Sequence, residues 1–227
     1  TVEAVAQVLG RLENDPERFT PLLRAFEQMV EQQLHFKTAR PNPYFHAPRA
    51  RPSERERVRT MLAKSRDHLV LVHAEANAHA YEAPAQPHEL LQLVAERVAT
   101  GERFEAVLVA RRALARSVPV HLELPLERFA AGESVAAALA RFAAFLRPDD
   151  RLACWGGYAL DLLAAEGFPV PAGLNVRDAA ARALGRRPGA PEDAARALDP
   201  AGVVGPAWTA GRAGRRIAAL RTILGAI

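Results

Sequence analysis

The sequence predicts an α/β protein in which a mixed sheet is flanked by helices and preceded by a short helical segment. Three observations lead to this prediction. Before residue 40, apolar residues recur only at helical spacing. Beyond residue 67, short apolar runs with strand character follow one another along the chain. The elements then come in the order strand, strand, strand, helix, strand and helices, which is typical of helices packed on a mixed sheet.

The first 36 residues contain two predicted helices. The first has apolar residues at helical spacing, namely Val2, Val5, Ala6, Leu9 and Leu12. Asn14, Asp15 and Pro16 then interrupt the pattern. A second amphipathic run follows, and its apolar face comprises Leu22, Leu23, Phe26, Met29, Val30 and Leu34.

Residues 41–66 are predicted to form a proline-rich linker and a basic helix. Ser53 and Glu56 have the spacing of a capping box, which predicts that the helix begins there. The basic side chains of this region are Arg49, Arg51, Arg55, Arg57, Arg59, Lys64 and Arg66. Two interpretations stay open. The basic residues either form a solvated face together with the paired Glu54 and Glu56, or they form a surface that contacts phosphate groups.

The sheet and its helices are predicted within residues 67–227. Strands are expected near 69–73, 89–98, 103–110 and 151–155, although the periodicity of 89–98 also allows a helix. A turn at Thr100-Gly101-Glu102 would join the second and third strands. Helices are expected near 133–147, 158–166, 175–185, 190–198 and 211–225. The chain is therefore divided into residues 1–40, 41–66 and 67–227.

Composition narrows the class of protein. Hydrophobic residues make up 49% of the 227 positions, which is typical of a globular chain. No apolar run approaches the roughly 20 residues that span a bilayer. Cys154 is the single cysteine, so neither an intramolecular disulfide nor a cysteine-rich zinc site is possible. We therefore expect a cytoplasmic protein that does not contact membranes.

The basic residues suggest a polyanionic partner, but they have a second explanation. The formal net charge is only +4, and just two of the 30 basic residues, Lys37 and Lys64, are lysine. Arginine suits phosphate binding and base stacking better than lysine does. A GC-rich genome would encode the same arginine-rich, lysine-poor composition, so both explanations stay open.

The N-terminal helical segment resembles the C-terminal helices of the DTW-domain family. The matched signature is a threonine, one variable residue and Glu-Ala at the start of a helix, here Thr1-Val2-Glu3-Ala4. Members of that family are tRNA-uridine aminocarboxypropyltransferases that use S-adenosylmethionine. The resemblance implies such a parent protein, in which Thr1 and Glu3 border the cofactor pocket. Alternatively, Glu3 only favours a helix N-terminus. The family's other motifs are absent, so no cofactor is expected in this chain.

Residues 67–227 resemble the DEDDh 3′-5′ exonucleases, which have a ribonuclease H-like fold. The matching segments, in order, are LVLVHAEAN, PVHLELPLERFAAGESVAAALARFAAFL, CWGGYALDLLAAEGFPVPAGLNVRDAAARALG and WTAGRAGRRIAALRTIL. The first lies where those enzymes have a strand that ends in Asp-x-Glu, and the third follows their Trp-Gly-x-Tyr-Asp pattern. The fold implied by the resemblance requires residues 89–98 to be the second strand.

The resemblance also implies which catalytic residues have been replaced. These enzymes hydrolyse phosphodiesters with two metal ions held by carboxylates, and a histidine acts as general base. Matched position by position, only the glutamate is retained, as Glu75. The other positions hold His73, Ala159 and Ala213 in place of aspartates and Trp208 in place of the histidine. The sequence therefore predicts a pseudo-exonuclease without a metal site. Asp161 cannot replace the aspartate missing at 159, because two helical residues correspond to a rotation of about 200°.

The predicted function is an RNA-binding or RNA-positioning module attached to a tRNA-modifying enzyme. The RNA, expected to be tRNA, would contact Arg55, Arg59, Arg212 and Arg216, with Trp208 stacking on a base. Alternatively, Trp208 fills the vacated metal pocket and the arginines face solvent. An active metal-dependent exonuclease and a protein-interaction or oligomerisation module remain competing predictions.

Overall fold

The structure, a computed structural model, describes residues 2–39, 53–79, 87–171, 173–200 and 205–227. The chain divides into two compact units, Thr1–Arg51 and Pro52–Ile227. The first unit contains the two predicted helices, α1 (Val2–Leu12) and α2 (Thr20–Ala39). On α1, the residues that become buried are Ala6 and Gly10.

The second unit is a five-stranded mixed sheet flanked by helices, as predicted. The strands are β1 (Leu69–Asn77), β2 (Glu89–Arg97), β3 (Arg103–Val107), β4 (Arg151–Cys154) and β5 (Gly173–Asn175). Their order in the sheet is β3-β2-β1-β4-β5. The first three strands pair antiparallel, whereas β4 is parallel to β1 and to β5. The helices are α3 (Glu54–Ser65), α4 (Val118–Leu122), α5 (Leu126–Ala130), α6 (Val135–Phe145), α7 (Tyr158–Ala165), α8 (Val176–Leu184), α9 (Pro191–Leu198) and α10 (Gly211–Ala226).

The ambiguous segment 89–98 is a strand, so that prediction is confirmed. All nine residues of β2 are buried, because helices cover both faces of the sheet at this strand. A strand that is apolar on both faces loses its alternating pattern, and its sequence then fits a helix equally well. The predicted turn is also present: the Arg97 amide donates to the Glu102 carbonyl, and Gly101 has φ 72°.

The sheet separates two apolar clusters. Val70 and Val72 of β1 belong to the cluster that contains Phe142 of α6, whereas Leu69 and Leu71 belong to the cluster that contains Ile217 of α10. This alternation follows from the two-residue period of a strand. Consequently, the odd-numbered side chains of β1 face α10.

Several short elements were not predicted. Among them are α4, α5 and the three-residue strand β5. Elements of three to five residues are too short to show a helical or strand periodicity. The third strand ends at Val107 rather than near residue 110, and the chain then makes an isolated bridge between Leu108 and Glu133.

Helix α3 belongs with the sheet rather than with the linker. Its N-terminus has the predicted capping box between Ser53 and Glu56. Val58 and Leu62 are buried in the α10-side cluster. The larger unit therefore begins at residue 52 and not at residue 67, because the apolar face of this helix packs on the sheet layer.

Candidate functional site

Glu75, the glutamate that the sequence predicts to be retained, lies near the end of the central strand, on the face that α10 covers. Glu75 and His73 are two residues apart, so both side chains lie on the same face of β1 as Leu71. The Glu75 side chain is only 3% exposed and that of His73 is 13% exposed. A carboxylate buried to this extent requires a partner that offsets its charge.

Arg212, in the first turn of α10, is that partner. Its Nε donates to Glu75 Oε1 at 2.7 Å and its Nη2 donates to Oε2, which gives a bidentate ion pair. His73 Nε2 lies 2.9 Å from Glu75 Oε1, and the ionised carboxylate accepts a hydrogen bond from it. Both carboxylate oxygens are therefore already bound by protein groups.

These contacts keep Glu75 ionised. Burial by itself would raise the pKa of Glu75, but the hydrogen bonds from Arg212 and His73 outweigh burial and lower the pKa from 4.5 to about 2. The positive charge of the guanidinium acts in the same direction. At neutral pH the site is a closed ion pair, not a set of free ligands.

Gly211 determines where Arg212 enters the site. Its φ is 81°, in the left-handed region that favours glycine. A Cβ atom at this position would lie 2.5 Å from the carbonyl oxygen of Leu122 in α4. Helix α10 thus begins against the end of α4, and the next residue, Arg212, reaches Glu75.

The alanines at the predicted aspartate positions have become part of the apolar core. Ala159 is 5% exposed and Ala213 is fully buried. Ala213 packs in the cluster with Ile217, and Ala159 packs in the cluster on the opposite face of the sheet. Asp161 lies on the exposed side of α7, as the helical rotation predicts.

Trp208 lies beside Arg103 of β3. The Arg103 guanidinium is 5.2 Å from the centre of the Trp208 ring. Glu75 of β1 pairs with Gln92 of β2, which in turn pairs with Val107 of β3. Arg103 and Val107 are four positions apart, so the backbone of Arg103 lies about 13 Å along the strand from the level of Glu75.

The environment of Trp208 is that of a packing residue with one cationic neighbour. The ring is half-buried against the α10-side cluster. Its Nε1 is buried and has no acceptor among the residues that the structure describes. Arg103 lies over the ring, so a base could stack there only after displacing this guanidinium.

The four predicted RNA-binding arginines form two separate pairs. Arg212 is bound to Glu75, and Arg216 Nε lies 3.6 Å from Glu192 Oε1, both near the start of α10. Arg55 donates from Nη2 to the Ala226 carbonyl at the other end of that helix, at 2.8 Å. Sixteen helical residues span about 24 Å. The segment 49–52, predicted as part of the same surface, lies outside the described residues.

A small cavity next to the ion pair was not predicted. Its volume is about 280 Å³, and polar side chains of Ser117, His121 and Tyr158 line it together with Glu75 and Arg212. The Tyr158 hydroxyl lies 2.7 Å from His88 Nδ1. Burial and the charge of Glu75 raise the pKa of Tyr158. Ser117 and His121 could not be placed from sequence, because α4 was not recognised.

The residues at this site do not fit a pair of divalent metal ions. A two-metal site needs several carboxylate oxygens. Among the described residues that line the cavity Glu75 is the one carboxylate, and Arg212 occupies both of its oxygens. Within the described ranges, no group of three or more His, Cys, Asp and Glu side chains could hold a metal ion.

The proposed cofactor-binding residues belong to the other unit. Thr1 lies outside the described residues, and Glu3 is exposed in the first turn of α1. In the part of the chain that the structure describes, no helix is long and apolar enough to cross a membrane.

The fold resembles solved nucleases at low sequence identity. Cell-death related nuclease 4 matches with a TM-score of 0.51 and 15% identity over 70% of this chain, which spans only 62% of that protein. The nuclease domain of 3′hExo, a DEDDh family member bound to rAMP, matches with a TM-score of 0.51 and 10% identity, over 70% of this chain and 89% of that one.

A third structure has the same fold. It shows 3′-end specific recognition of a histone mRNA stem-loop by a 3′-exonuclease, and it matches with a TM-score of 0.52 and 10% identity over 76% of this chain and 80% of that one. No family model and no curated protein sequence matches the chain. The likeness is evidence for the exonuclease-like fold alone.

Proposed function

We propose that residues 52–227 form an exonuclease-like domain that binds single-stranded RNA without cleaving it. The observation that carries this proposal is the ion pair between Glu75 and Arg212. In the resembled enzymes a carboxylate at this position would ligate a metal ion. In this chain a guanidinium, which cannot release its charge at any physiological pH, lies against the carboxylate instead.

The positions around Glu75 support the loss of catalysis. A divalent ion would have to displace Arg212 and would gain only one carboxylate, since positions 159 and 213 hold buried alanines. Trp208 offers no proton acceptor in place of the general base. Without a metal-bound water and without a base, a phosphodiester has no activated nucleophile.

A nuclease assay tests the proposal directly. The full chain is incubated with end-labelled single-stranded RNA and Mg²⁺ or Mn²⁺, and Glu75→Gln serves as the matched control. We expect intact RNA with both proteins. Cleavage that the wild-type protein shows and Glu75→Gln lacks would establish an active exonuclease and reject the proposal, whereas cleavage by both would identify a contaminating nuclease.

The proposal of RNA binding is supported by the fold and by charge. One of the structural neighbours recognises an mRNA stem-loop. Loss of three acidic residues, relative to the resembled enzymes, removes repulsion between the domain and phosphate groups. Arg55 and Arg59 remain the predicted phosphate contacts that no carboxylate among the described residues engages. Arg212 and Arg216 are weaker candidates, because each lies near a glutamate.

We also propose that the intact protein modifies tRNA in the cytoplasm. The support is the resemblance of residues 1–36 to the C-terminal helices of S-adenosylmethionine-dependent aminocarboxypropyltransferases. The test is transfer of label from S-adenosylmethionine to unmodified tRNA. Residues 1–227 alone should be inactive, because they lack the family's cofactor and metal motifs; transfer by this chain alone would contradict the assignment.

A further inference from the structure

A cleft between α3 and the C-terminal end of α10 is lined by arginines. It consists of two adjoining cavities of about 410 and 480 Å³ that share Arg59, Gly225 and Ile227. Arg66 and Arg221 line the first cavity, and Arg55 lines the second. We refer to these four arginines and the space between them as the α3–α10 cleft.

Two of the arginines share one face of α3, and the third follows its end. Arg55 and Arg59 are four residues apart on the helix, and Arg66, the residue after α3, lines the same cleft. The helix from Arg55 to Ser65 is about 15 Å long at 1.5 Å per residue. Val58 and Leu62 of α3 are buried in the core, which fixes the position of the helix.

The cations of the α3–α10 cleft are mostly not neutralised by the protein. No carboxylate among the described residues pairs with Arg59 or Arg66, and Arg55 contacts the neutral carbonyl of Ala226. Arg221 alone is paired, with the buried Glu96 at 2.8 Å. The carboxylate of Glu56 lies at the edge of the cleft and accepts a hydrogen bond from the Ser53 amide.

At the N-terminal end of α10, by contrast, the arginines are paired with carboxylates. These three arginines, Arg212, Arg215 and Arg216, lie against Glu75, Glu123 and Glu192 respectively. A phosphate arriving there would have to compete with a carboxylate for each guanidinium. At the α3–α10 cleft three guanidinium groups are available without that competition, and arginine readily forms bidentate contacts with phosphate.

The shape of the cleft favours a phosphodiester chain over a membrane or a small anion. Three of its apolar lining residues are recessed, since Leu62, Leu69 and Ile227 are buried. A membrane-binding surface instead presents protruding apolar side chains beside its cations. A single phosphate is also too small to contact cations at both ends of a helix about 15 Å long.

We infer that the α3–α10 cleft, and not the former catalytic groove, is where the domain binds the phosphate backbone of single-stranded RNA. This inference rests on the proposed RNA-binding function. No aromatic side chain lines the cleft in the described part of the chain, so base stacking contributes nothing there. Binding should therefore depend steeply on salt and little on base sequence.

The test is fluorescence anisotropy of the full chain with a fluorescein-labelled oligouridylate over a range of salt concentrations. The cleft variant is Arg55→Gln/Arg59→Gln/Arg66→Gln. Its matched control removes the same charge from three exposed arginines near the end of α8, namely Arg182→Gln/Arg186→Gln/Arg187→Gln. Circular dichroism and thermal unfolding establish that both variants are folded.

We expect the cleft variant to lose most of the affinity and the control variant to lose little. Each phosphate contact with a single strand contributes about 0.7 to the slope of log affinity against log salt, so three contacts amount to a slope of about 2 and a roughly 100-fold loss near 0.1 M salt. An equal loss in both variants, or no loss in the cleft variant, overturns the inference while the RNA-binding function stands.

Two further outcomes separate the inference from the proposed function. If the wild-type protein does not bind the oligouridylate at any salt concentration, the proposed function itself fails. If it binds vesicles of phosphatidylserine and phosphatidylcholine instead, and the cleft variant abolishes that binding, the surface is a membrane contact and the assignment to RNA is wrong.

Discussion

Glu75 keeps its negative charge in a nearly dry environment because Arg212 and His73 bind both of its oxygens. In a two-metal nuclease the cations would offset several carboxylates, and each carboxylate would be open toward the metal. Here one glutamate has one arginine, so the charges balance within the protein. Glu75, which the resemblance matches to a metal-binding glutamate, thus has a guanidinium as its partner.

Removing Arg212 alone should be far more harmful than removing both members of the pair. Arg212→Met leaves an uncompensated buried charge, which typically costs about 3–5 kcal/mol. Glu75→Gln/Arg212→Met leaves no charge and should lose much less. Urea unfolding at pH 7 measures both, with Arg215→Met as the exposed control, expected within about 1 kcal/mol of wild type. Equal stability of the single and double variants would argue against the buried pair.

Lowering the pH should reduce the free energy of unfolding, because Glu75 becomes protonated. Its pKa is about 2 in the folded protein and 4.5 ordinarily, so its contribution is complete above pH 4.5 and is lost as the pH falls toward 2. Because one pKa unit is about 1.4 kcal/mol, the full contribution is roughly 3 kcal/mol. Between pH 6 and pH 2, the free energy of unfolding should therefore fall less for Glu75→Gln/Arg212→Met than for the wild-type protein. Parallel pH profiles for the variant and the wild type would contradict this role of Glu75.

At the scale of the element, α10 connects the two regions of interest. Its first turn carries Arg212 to Glu75, and its last turn meets Arg55 of α3. The helix is held at its start by Gly211, whose backbone conformation and proximity to Leu122 exclude a larger residue. The position of both regions therefore depends on one glycine and on the packing of one helix.

Substitution of Gly211 tests this dependence. Gly211→Ala should destabilise the protein by about 1–3 kcal/mol, because a Cβ atom would clash with the Leu122 carbonyl and the φ of 81° is strained for alanine. Gly225→Ala, in open space at the other end of the same helix, should be neutral or stabilising by up to about 1 kcal/mol. Thermal unfolding compares the two; similar midpoints would show that the start of α10 adapts freely.

At the scale of the whole molecule, the chain consists of two compact units, Thr1–Arg51 and Pro52–Ile227. The basic helix α3 belongs to the larger unit, since Val58 and Leu62 complete the core beneath α10. A boundary drawn at residue 67 would remove these two side chains and expose the apolar surface that they cover. The basic helix is therefore part of the fold and not a flexible connection to it.

Truncation distinguishes the two boundaries. Residues 52–227 should unfold in one cooperative transition, because this unit contains the apolar clusters on both faces of the sheet. Residues 67–227 should be destabilised by several kcal/mol, since loss of each large buried side chain typically costs about 2–5 kcal/mol. Circular dichroism with urea unfolding measures both. Equal stability of the two fragments would mean that α3 only rests on the surface.

The fold class was accessible from sequence because long elements carry a periodic pattern. The helices of the first unit, α6 to α10 and four of the five strands lie close to their predicted positions. The fold required 89–98 to be a strand, and the structure agrees. The patterns failed for α4, α5 and β5, because three to five residues do not complete a recognisable repeat. As a result, the cavity lined by Ser117 and His121 was not foreseen.

The sequence by itself determined which residues stand at the positions that the resemblance assigns to catalysis, since the identities of His73, Ala159 and Ala213 are local facts. Only the tertiary structure decided which groups surround them. Glu75 and Arg212 are 137 residues apart, and no local pattern indicates that they form a pair. The same holds for the α3–α10 cleft, whose arginines come from distant segments. Two charged residues form a pair when folding brings them close together, and the periodicity of the sequence does not indicate which distant residues become neighbours.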